Sequence, residues 1–452
     1  MIILGAARQG TALARYLAVQ GASVTLTDMR ASQELNTAQE ALKDLEIQWV
    51  LGEHPDNLLD GASLVCPSGG VPLTIPFLQQ ARSRGIPFSN DSQIFLQAAP
   101  CPAIGITGSA GKTTTTTLVG RIAHAAVDSG EAQYQHAFIG GNIGNPLIAQ
   151  LDEIGPSDIA VMELSSFQLD LMTASPHIAA VLNISPNHLD RHGSMQAYTA
   201  AKRHILEHQT SQDIAVLGRD DENAWALRDS VKGQIYSFGF LPLPPGGFGS
   251  YLQDGNIWIK TPALQQPAVS LSDIQIPGDH NILNVLAAAA ICAAAELPIP
   301  AIGQGVAGFT GVPHRLEFVR RWKDTDWYND SKATGPEMAV RAIQAFSQPL
   351  ILLAGGRDKD LPWDKFAQAA ARRVDHLVLF GKAAPVIQAA LLPDSPFSLD
   401  ICAGLHEAVS KAAALAQPGD VVLLAPGGDS FDEFDNFEHR GESFKSWVNQ
   451  LA

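Results

Sequence analysis

Residues 103–120 read AIGITGSAGKTTTTTLVG, an apolar run, a turn of small residues and a helical pattern. Glycines let backbone N–H groups turn toward an anion, and the start of a helix adds its positive dipole. Lys112 is placed to reach the outer phosphates of a nucleotide, and Thr113 offers a hydroxyl to Mg²⁺. The stretch therefore predicts a strand, a phosphate-binding loop and a helix, although Gly105 stands six residues before Gly111 rather than the usual five.

Short apolar runs alternate with helical patterns along almost the whole chain, which indicates parallel sheets covered by helices. We expect an α/β protein of three domains. An N-terminal Rossmann-like domain spans residues 1–95, a central phosphate-loop ATPase-type domain with a parallel sheet spans 96–311, and a C-terminal Rossmann-like domain spans 312–452. Pro and Gly separate short apolar segments over residues 233–276, which predicts a small β extension of the central domain.

The composition excludes several classes of partner. A formal net charge of -16 argues against nucleic acid or an acidic membrane, because both need a basic face. No apolar run of about 18 residues occurs, and the N-terminus lacks the pattern of a secretory signal, so we expect a cytoplasmic protein with no membrane contact. The four cysteines, far apart and without CxxC spacing, are expected to be buried thiols: Cys66, Cys101, Cys292 and Cys402.

Possible metal ligands follow the next two apolar runs, IAVME and AAVLN, which end at Glu163 and Asn183. Mg²⁺ prefers oxygen ligands, so the Glu163 carboxylate with the Thr113 hydroxyl is the better pairing. His188 follows in the same region, but a lone histidine is more often a structural residue. Lys202 lies in a helical stretch where a lysine is ordinarily solvated; if desolvated, its neutral amine could react with carbon dioxide and become an anion.

Motifs spread along the chain carry a family resemblance: GITGSAGKTT, FIGGNIG, ELSSFQL, NHLDRH, YTAAK, GDHNILN, PHRLE, NDSKAT and DSFDEFDNFEHRG. Together they resemble the muramyl ligase superfamily, most closely its glutamate-adding branch. The resemblance implies a cytoplasmic, monomeric ligase of peptidoglycan precursor synthesis. It would use ATP to add D-glutamate to UDP-N-acetylmuramoyl-L-alanine through an acyl phosphate, with the sugar nucleotide, ATP and amino acid bound by the three domains in that order.

The resemblance also implies roles for individual residues. The ATP site comprises Gly108, Ser109, Ala110, Gly111, Lys112, Thr113, Thr114, Asn281, Asn284, Arg315 and Asp330. Two Mg²⁺ ions, with Mn²⁺ as the alternative, are held by Thr113, Glu163, His188 and Lys202, the last as a carbamate. The catalytic set is Lys112, Glu163, His188 and Lys202. The substrate contacts are Asp28, Arg30, Ser68, Gly70, Asn142, Lys332, Thr334, Lys359, Ser430 and Phe437.

The sequence departs from the family pattern at two places. Ala110 stands where the phosphate loop usually has a polar residue, and Gly69 replaces the proline of a Ser-Pro-Gly loop. Three alternatives stay open: the same ligation with L-glutamate or a folylpolyglutamate synthase-like reaction; a nicotinamide-dependent dehydrogenase that uses GAARQG and Asp28; and a nucleotide-dependent switch. The dehydrogenase leaves the phosphate loop unexplained, and no guanine-specific loop is evident for the switch.

Overall fold

The computed structural model describes residues 1–276 and 278–451, and the chain divides into two compact units, Met1–Phe309 and Thr310–Ala452. The first unit holds a four-stranded and a nine-stranded sheet, and the second unit holds a six-stranded sheet. Helices alternate with the strands in all three regions. The three-domain α/β class is therefore confirmed, whereas the boundaries proposed between the domains stay a prediction.

The first sheet is parallel, with strand order β3-β2-β1-β4. Its strands are β1 (Ile2–Leu4), β2 (Val24–Asp28), β3 (Ile47–Leu51) and β4 (Val65–Pro67). The accompanying helices are α1 (Arg8–Val19), α2 (Asn36–Ala41), α3 (Pro76–Ser83) and α4 (Asp91–Ala98), with 3₁₀ turns at Ser32–Glu34 and Asp56–Leu59. The turn between β1 and α1 needs glycine, because a Cβ on Gly10 would lie 1.8 Å from the carbonyl oxygen of Gly5.

The central sheet has the strand order β13-β12-β11-β10-β9-β8-β5-β7-β6. Its strands are β5 (Ala103–Thr107), β6 (Ala137–Gly141), β7 (Ile159–Glu163), β8 (Ile178–Val181), β9 (Ile214–Gly218), β10 (Gln234–Gly239), β11 (Phe248–Gln253), β12 (Asn256–Lys260) and β13 (Gln265–Ser270). Pairing is parallel from β6 to β11 and antiparallel from β11 to β13. The predicted β extension is thus present, as a continuation of the central sheet.

The helices that the structure describes in this region are α5 (Lys112–Asp128), α6 (Ser166–Leu169), α7 (Leu189–His192), α8 (Met195–Glu207), α9 (Glu222–Ala226), α10 (Asp279–Ala294) and α11 (Ile299–Val306). The 3₁₀ turns are Leu147–Glu153, Leu227–Ser230 and Leu271–Asp273. Helix α10 is almost entirely buried from Asn284 onward, because small alanine side chains let it pack against both α5 and the sheet. The helix predicted from its alanine content is confirmed.

The sheet of the second unit has the order β14-β15-β19-β16-β17-β18, antiparallel only between β14 and β15. Its strands are β14 (Glu317–Trp322), β15 (Thr325–Asn329), β16 (Leu350–Gly355), β17 (His376–Phe380), β18 (Ser398–Cys402) and β19 (Val421–Gly427). The helices are α12 (Pro336–Gln344), α13 (Asp364–Arg373), α14 (Ala384–Ala390), α15 (Leu405–Leu415) and α16 (Phe437–Asn449). Because β19 lies between β15 and β16, the loops that follow these three strands meet at one edge.

The cysteine prediction is correct at three positions and wrong at the fourth. Cys66, Cys292 and Cys402 are buried thiols, and burial raises the pKa of Cys66 to about 12. Cys101 is only half-buried, because it lies in the connection just before β5 rather than within an element. None of the helices in residues 1–276 and 278–451 has the length and hydropathy needed to cross a bilayer.

Candidate active site

The phosphate loop connects β5 to α5 at the carboxyl end of the central sheet. Gly111 precedes the helix with φ +81°, a conformation that glycine adopts without strain. A Cβ on Gly111 would also lie 2.2 Å from Oδ1 of Asn284, so the loop packs directly against helix α10. The N–H groups of the first turn of α5 have no partner within a helix and are available to an anion.

Two lysine amines converge on one carbonyl oxygen of this loop. Nζ of Lys112 donates to the Gly108 oxygen at 2.8 Å, and Nζ of Lys202 donates to the same oxygen at 2.9 Å. The Lys202 side chain is 1% exposed. Burial and the neighbouring Lys112 charge lower the pKa of Lys202 to about 6, while Glu163 opposes the shift. The Lys202 amine is therefore largely neutral at pH 7, which is the reactive form that carbamylation requires.

Glu163 ends β7 and stands beside the phosphate loop, because its register partner in β5 is Ile106. Its side chain is 2% exposed, and Oε1 accepts a hydrogen bond from Nδ2 of Asn142 at 2.8 Å. Within the described part of the chain, Oε2 is buried without a hydrogen-bond partner. A buried carboxylate oxygen left unpaired is costly, and a bound cation would satisfy it.

The residues near Glu163 fit a magnesium ion held mainly by substrate. Among the described residues, no group of three or more His, Cys, Asp or Glu side chains assembles into an all-protein metal cage. Nucleotide-bound Mg²⁺ needs only one or two protein oxygens together with phosphates and waters. Glu163 and Thr113, which is buried in the first turn of α5, supply that number. His188 is exposed, with its ring 5.2 Å from that of Phe167, and its metal role stays a prediction.

Of the two asparagines predicted on the adenine side, Asn284 lies against the phosphate loop. Nδ2 of Asn284 donates to Oδ1 of Asn281 at 3.1 Å, and Thr115 Oγ1 donates to Oδ1 of Asn284 at 3.4 Å. A cavity of about 240 Å³ adjoins them, lined by Gly111, Asn284, His280 and Phe238 among others. The structure thus brings the phosphate loop and the start of α10 together around this cavity, and adenine binding there stays a prediction.

Asp28 and Arg30, the substrate contacts predicted in the first sheet, differ in burial and in what they contact. Asp28 is buried at the end of β2 and accepts hydrogen bonds from the Ala6 N–H and from Nε and Nη2 of Arg30. Burial opposes ionisation, but the hydrogen bonds from Arg30 and Ala6 outweigh it and lower the pKa of Asp28 to about 2. Arg30, not Asp28, lines a cleft of about 690 Å³ with Arg8 and Asn145. Asp28 therefore orients Arg30 toward the cleft.

Ser68 and Gly70 belong to the loop after β4. Ser68 Oγ donates to the Gly5 oxygen at 3.1 Å, and Ser68 lines a cavity of about 450 Å³ with Phe167 and Arg191. Gly70 is exposed, and no heavy atom within 4 Å restricts a side chain there. The structure therefore gives Ser68 a defined place in the loop.

Arg191 joins this loop to the central sheet. Its Nη1 and Nη2 donate to the Gly69 and Val71 oxygens at 3.3 and 3.1 Å, and its guanidinium lies 3.9 Å from the centre of the Phe167 ring. The sequence placed Arg191 in a motif without giving it a role.

In the second unit, four predicted residues lie around the end of β15. Asp330 is buried and accepts a hydrogen bond from the Leu316 N–H at 3.2 Å, and burial raises the pKa of Asp330 to about 6. Arg315 is exposed beside it. Lys332 places Nζ 5.6 Å from the centre of the Phe437 ring, and the Thr334 N–H donates to the Lys332 oxygen.

The remaining predicted residues follow β16 and β19, so the sheet order brings their loops together. Lys359 lies in an exposed loop, Ser430 is buried, and Phe437 begins α16. Phe437 is fixed by its main-chain oxygen, which accepts a hydrogen bond from Ser331 Oγ at 2.8 Å.

Arg440 was missed by the sequence reasoning, yet it connects these loops from inside. Its side chain is 0% exposed and makes five hydrogen bonds, to the main-chain oxygens of Gly428, Asp429 and Ser331 and to Ser331 Oγ. The HRG sequence around it marks a helix rather than a site. No local signal distinguishes a buried clamp of this kind from a solvated arginine.

Comparison with protein families covers almost the whole chain. Residues 1–89 match the model described as "Mur ligase MurD-like, N-terminal domain", residues 106–292 match "Mur ligase middle domain", and residues 314–428 match "Mur ligase, glutamate ligase domain". The UDP-N-acetylmuramoylalanine--D-glutamate ligase of Symbiobacterium thermophilum is 40% identical over 451 residues, which are 100% of this chain and 98% of that protein.

Solved structures with the same fold are more distant in sequence. The UDP-N-acetylmuramate-alanine ligase of Thermotoga maritima aligns with a TM-score of 0.57 at 18% identity, covering 99% of this chain and 98% of that one. A MurF ligase of Thermotoga maritima, solved in complex with ADP, aligns with a TM-score of 0.54 at 16% identity, covering 95% and 96%. At these identities the structures support the fold alone.

Proposed function

The chain belongs to the Mur ligase family, and on that premise we propose that it joins D-glutamate to UDP-N-acetylmuramoyl-L-alanine with consumption of ATP. The observation that carries the proposal is the 40% identity to a D-glutamate ligase over the full length of both proteins. The dehydrogenase and the switch protein are set aside, because neither explains why the whole chain is similar to a D-glutamate ligase. The buried lysine, carboxylate and phosphate loop supply the chemistry that such a ligase needs.

The first step makes the carboxylate of the acceptor reactive. A carboxylate oxygen attacks the γ-phosphorus of ATP, the bond to the β-phosphate oxygen breaks, and ADP leaves with that electron pair. Lys112 and the N–H groups of the first turn of α5 stabilise the negative charge that spreads over the transferring group. The product is a mixed anhydride, an acyl phosphate, whose phosphate is a good leaving group.

In the second step the amine of glutamate attacks the acyl carbon. The tetrahedral intermediate collapses with loss of phosphate, an amide bond forms, and the amine proton passes to solvent. We assign the amino acid to the cluster in the second unit around Lys332, Ser430 and Phe437. Their neighbouring loops offer a cation, a hydroxyl and an aromatic face to a small dicarboxylate.

Magnesium would be held by Glu163 and Thr113, with Lys202 as its carbamate and His188 at a second ion; Mn²⁺ is the alternative. Bound there, the metal would neutralise charge on the phosphates. The unpaired Oε2 of Glu163 supports this assignment. Carbamylation forms a bond between Nζ of Lys202 and the carbon of CO₂ with loss of one proton, which the low pKa of Lys202 favours.

Phosphate release tests the proposal directly. Purified protein with ATP, Mg²⁺, UDP-N-acetylmuramoyl-L-alanine and D-glutamate should release inorganic phosphate, and omission of either co-substrate should abolish the release. L-glutamate replaces D-glutamate in a parallel reaction, and a reduced folate replaces the sugar nucleotide in another. Faster turnover in either parallel reaction would refute the proposed specificity, and hydrolysis of ATP alone at the full rate would indicate a switch protein instead.

We further propose that the protein acts as a cytoplasmic monomer. Sedimentation at working concentration tests the oligomeric state, and cell fractionation tests the location. A dimer in sedimentation or recovery with the membrane would contradict this part of the proposal.

A further inference from the structure

Asn183 makes a reciprocal pair of hydrogen bonds with the backbone of the phosphate loop. Its Oδ1 accepts from the Ala110 N–H at 2.9 Å, and its Nδ2 donates to the Ala110 oxygen at 3.1 Å. The main-chain oxygen of Asn183 also accepts from the Ser109 N–H at 2.9 Å. One residue just beyond β8 therefore binds two consecutive residues of the loop through three hydrogen bonds.

This pairing decides where the N–H groups of the loop point. The Ala110 N–H is directed at Asn183, so it is not one of the donors that face an anion. The first turn of α5 follows the loop directly, and the start of a helix is where backbone N–H groups bind anions. Ala110 is among the ATP contacts predicted from the sequence, and that role stays a prediction. In the structure its N–H and its oxygen are both paired with the Asn183 side chain.

The loop needs an external support of this kind because it is built from small residues. Ser109 is anchored by its Oγ, which donates to the Ser185 oxygen at 2.9 Å, but Ala110 and the glycines at 108 and 111 have no side chain that could hold the rest of the turn. Such a backbone loses much conformational entropy when it becomes ordered. Hydrogen-bond donors stabilise a transferring phosphoryl group only if they are already oriented before the reaction. Asn183 provides this order from a neighbouring strand of the same sheet.

We infer that Asn183 is a positioning residue for phosphoryl transfer, acting through the backbone of Ala110. The inference rests on the proposed function, since it assigns ATP to this loop. Asn183 also borders the cavity beside Asn284, so a direct contact with the adenine ring is the competing role. The two roles differ in which part of the nucleotide loses affinity when the side chain is removed.

The test compares adenosine, ADP and ATP as ligands of Asn183→Ala by titration calorimetry in Mg²⁺ buffer, without the other substrates. Affinity for ATP should fall about 10- to 100-fold, the factor that corresponds to two neutral hydrogen bonds. ADP should show a similar loss, whereas adenosine, which has no phosphate to reach the loop, should bind within about twofold of wild type.

Asn223→Ala is the matched control. Nδ2 of Asn223 donates to the main-chain oxygen of Ile184 at 2.9 Å, so this variant loses a bond to the same segment without touching the phosphate loop. It should bind all three ligands as wild type does. If Asn183→Ala does not fold, Asn183→Asp replaces it, because the aspartate keeps an acceptor for the Ala110 N–H and removes the donor to the Ala110 oxygen.

Three results would overturn the inference. Equal losses for adenosine and ATP would indicate a contact with the base, unchanged affinities would show that the loop orders itself, and the same losses in Asn223→Ala would reveal a general structural effect. A wild-type protein that binds no ATP would instead refute the proposed function. Failure of the inference is therefore distinguishable from failure of the function.

Discussion

Lys202 and Arg440 are both buried basic side chains, but burial leaves them in different charge states at pH 7. Burial and Lys112 lower the pKa of Lys202 to about 6, so its amine is largely neutral at pH 7. Burial lowers the pKa of Arg440 only to about 10, so its guanidinium stays charged. The first side chain, beside the phosphate loop, can change its charge state, and the second cannot.

The hydrogen bonds of the two residues match this difference. Lys202 donates to Gly108 and, at 3.4 Å, to Thr107 Oγ1, both at the start of the phosphate loop. Arg440 uses a planar fork of donors to hold three main-chain oxygens from two loops. The buried amine of Lys202 can thus gain or lose a proton near neutral pH, whereas the buried guanidinium of Arg440 stays charged and holds its neighbours in place.

Lys112→Ala should have the largest effect, because Lys112 shares the Gly108 carbonyl with Lys202 but is placed to reach the transferring phosphate. We expect kcat/KM to fall about 10³- to 10⁵-fold, the range for loss of a cation at phosphoryl transfer. The rate of phosphate release at varied substrate concentrations gives kcat/KM. Lys232→Ala, which removes an exposed lysine that donates to the Glu207 oxygen, is the control. Near-normal turnover by Lys112→Ala would contradict the placement of ATP.

Arg440→Met should be the next most damaging change, and its effect should be on stability. The substitution leaves the buried oxygens of Gly428 and Ser331 without the Arg440 donor, whereas the Asp429 oxygen keeps the Arg357 N–H. We expect a cost of about 3–5 kcal/mol of unfolding free energy in the second unit. Urea denaturation measures the loss. Arg372→Met, at an exposed position of α13, should change stability by less than about 0.5 kcal/mol. An equal loss of unfolding free energy in the two variants would refute the proposal that Arg440 holds the two loops together.

Lys202→Met should stabilise the folded protein. In metal-free, CO₂-free buffer at pH 7 we expect a gain of about 2–4 kcal/mol. Neutralising an amine that is charged in the unfolded chain costs the native state roughly 5 kcal/mol at this pH, and loss of the hydrogen bonds of Lys202 offsets part of the gain. The unfolded pKa is 10.5 and the folded pKa about 6, so the gain should be fully present below pH 6. It should shrink as pH rises toward 10.5. Urea titrations from pH 6 to 10 measure it, and a gain that grows with pH would contradict the assignment.

Arg191→Met should have the smallest effect, confined to the acceptor substrate. It removes two hydrogen bonds to the loop after β4 and the contact with Phe167. We expect KM for the sugar nucleotide to rise about 10-fold, with KM for ATP unchanged. Initial rates at varied concentrations of each substrate separate the two constants. Arg203→Met, at an exposed position of α8, is the control, and a matching rise in KM for ATP would show a wider disturbance.

Local patterns in the sequence were sufficient for the strongest elements. The apolar strand, the small-residue turn and the helix of residues 103–120 interact over a few positions, so composition and periodicity predict them. The alanine-rich helix α10 follows in the same way. Strands such as β3, β6 and β18 were not predicted, and in β3 and β18 most side chains are partly or fully exposed, so an apolar signal is weak there.

The chain's sequence therefore establishes the class of fold, the phosphate loop and the family motifs, since each is written in contiguous residues. Which side chains meet was decided by the order of strands in the sheets. That order sets Asn183 against Ala110, Asn284 against Gly111, and Arg440 beneath Ser331 and Gly428. The contacts of Asn183 with Ala110, Asn284 with Gly111 and Arg440 with Ser331 join residues 73 to 173 positions apart, and no local propensity specifies pairs at such separations. Burial of the apolar sheet faces specifies them instead, by allowing only one arrangement of the crossovers.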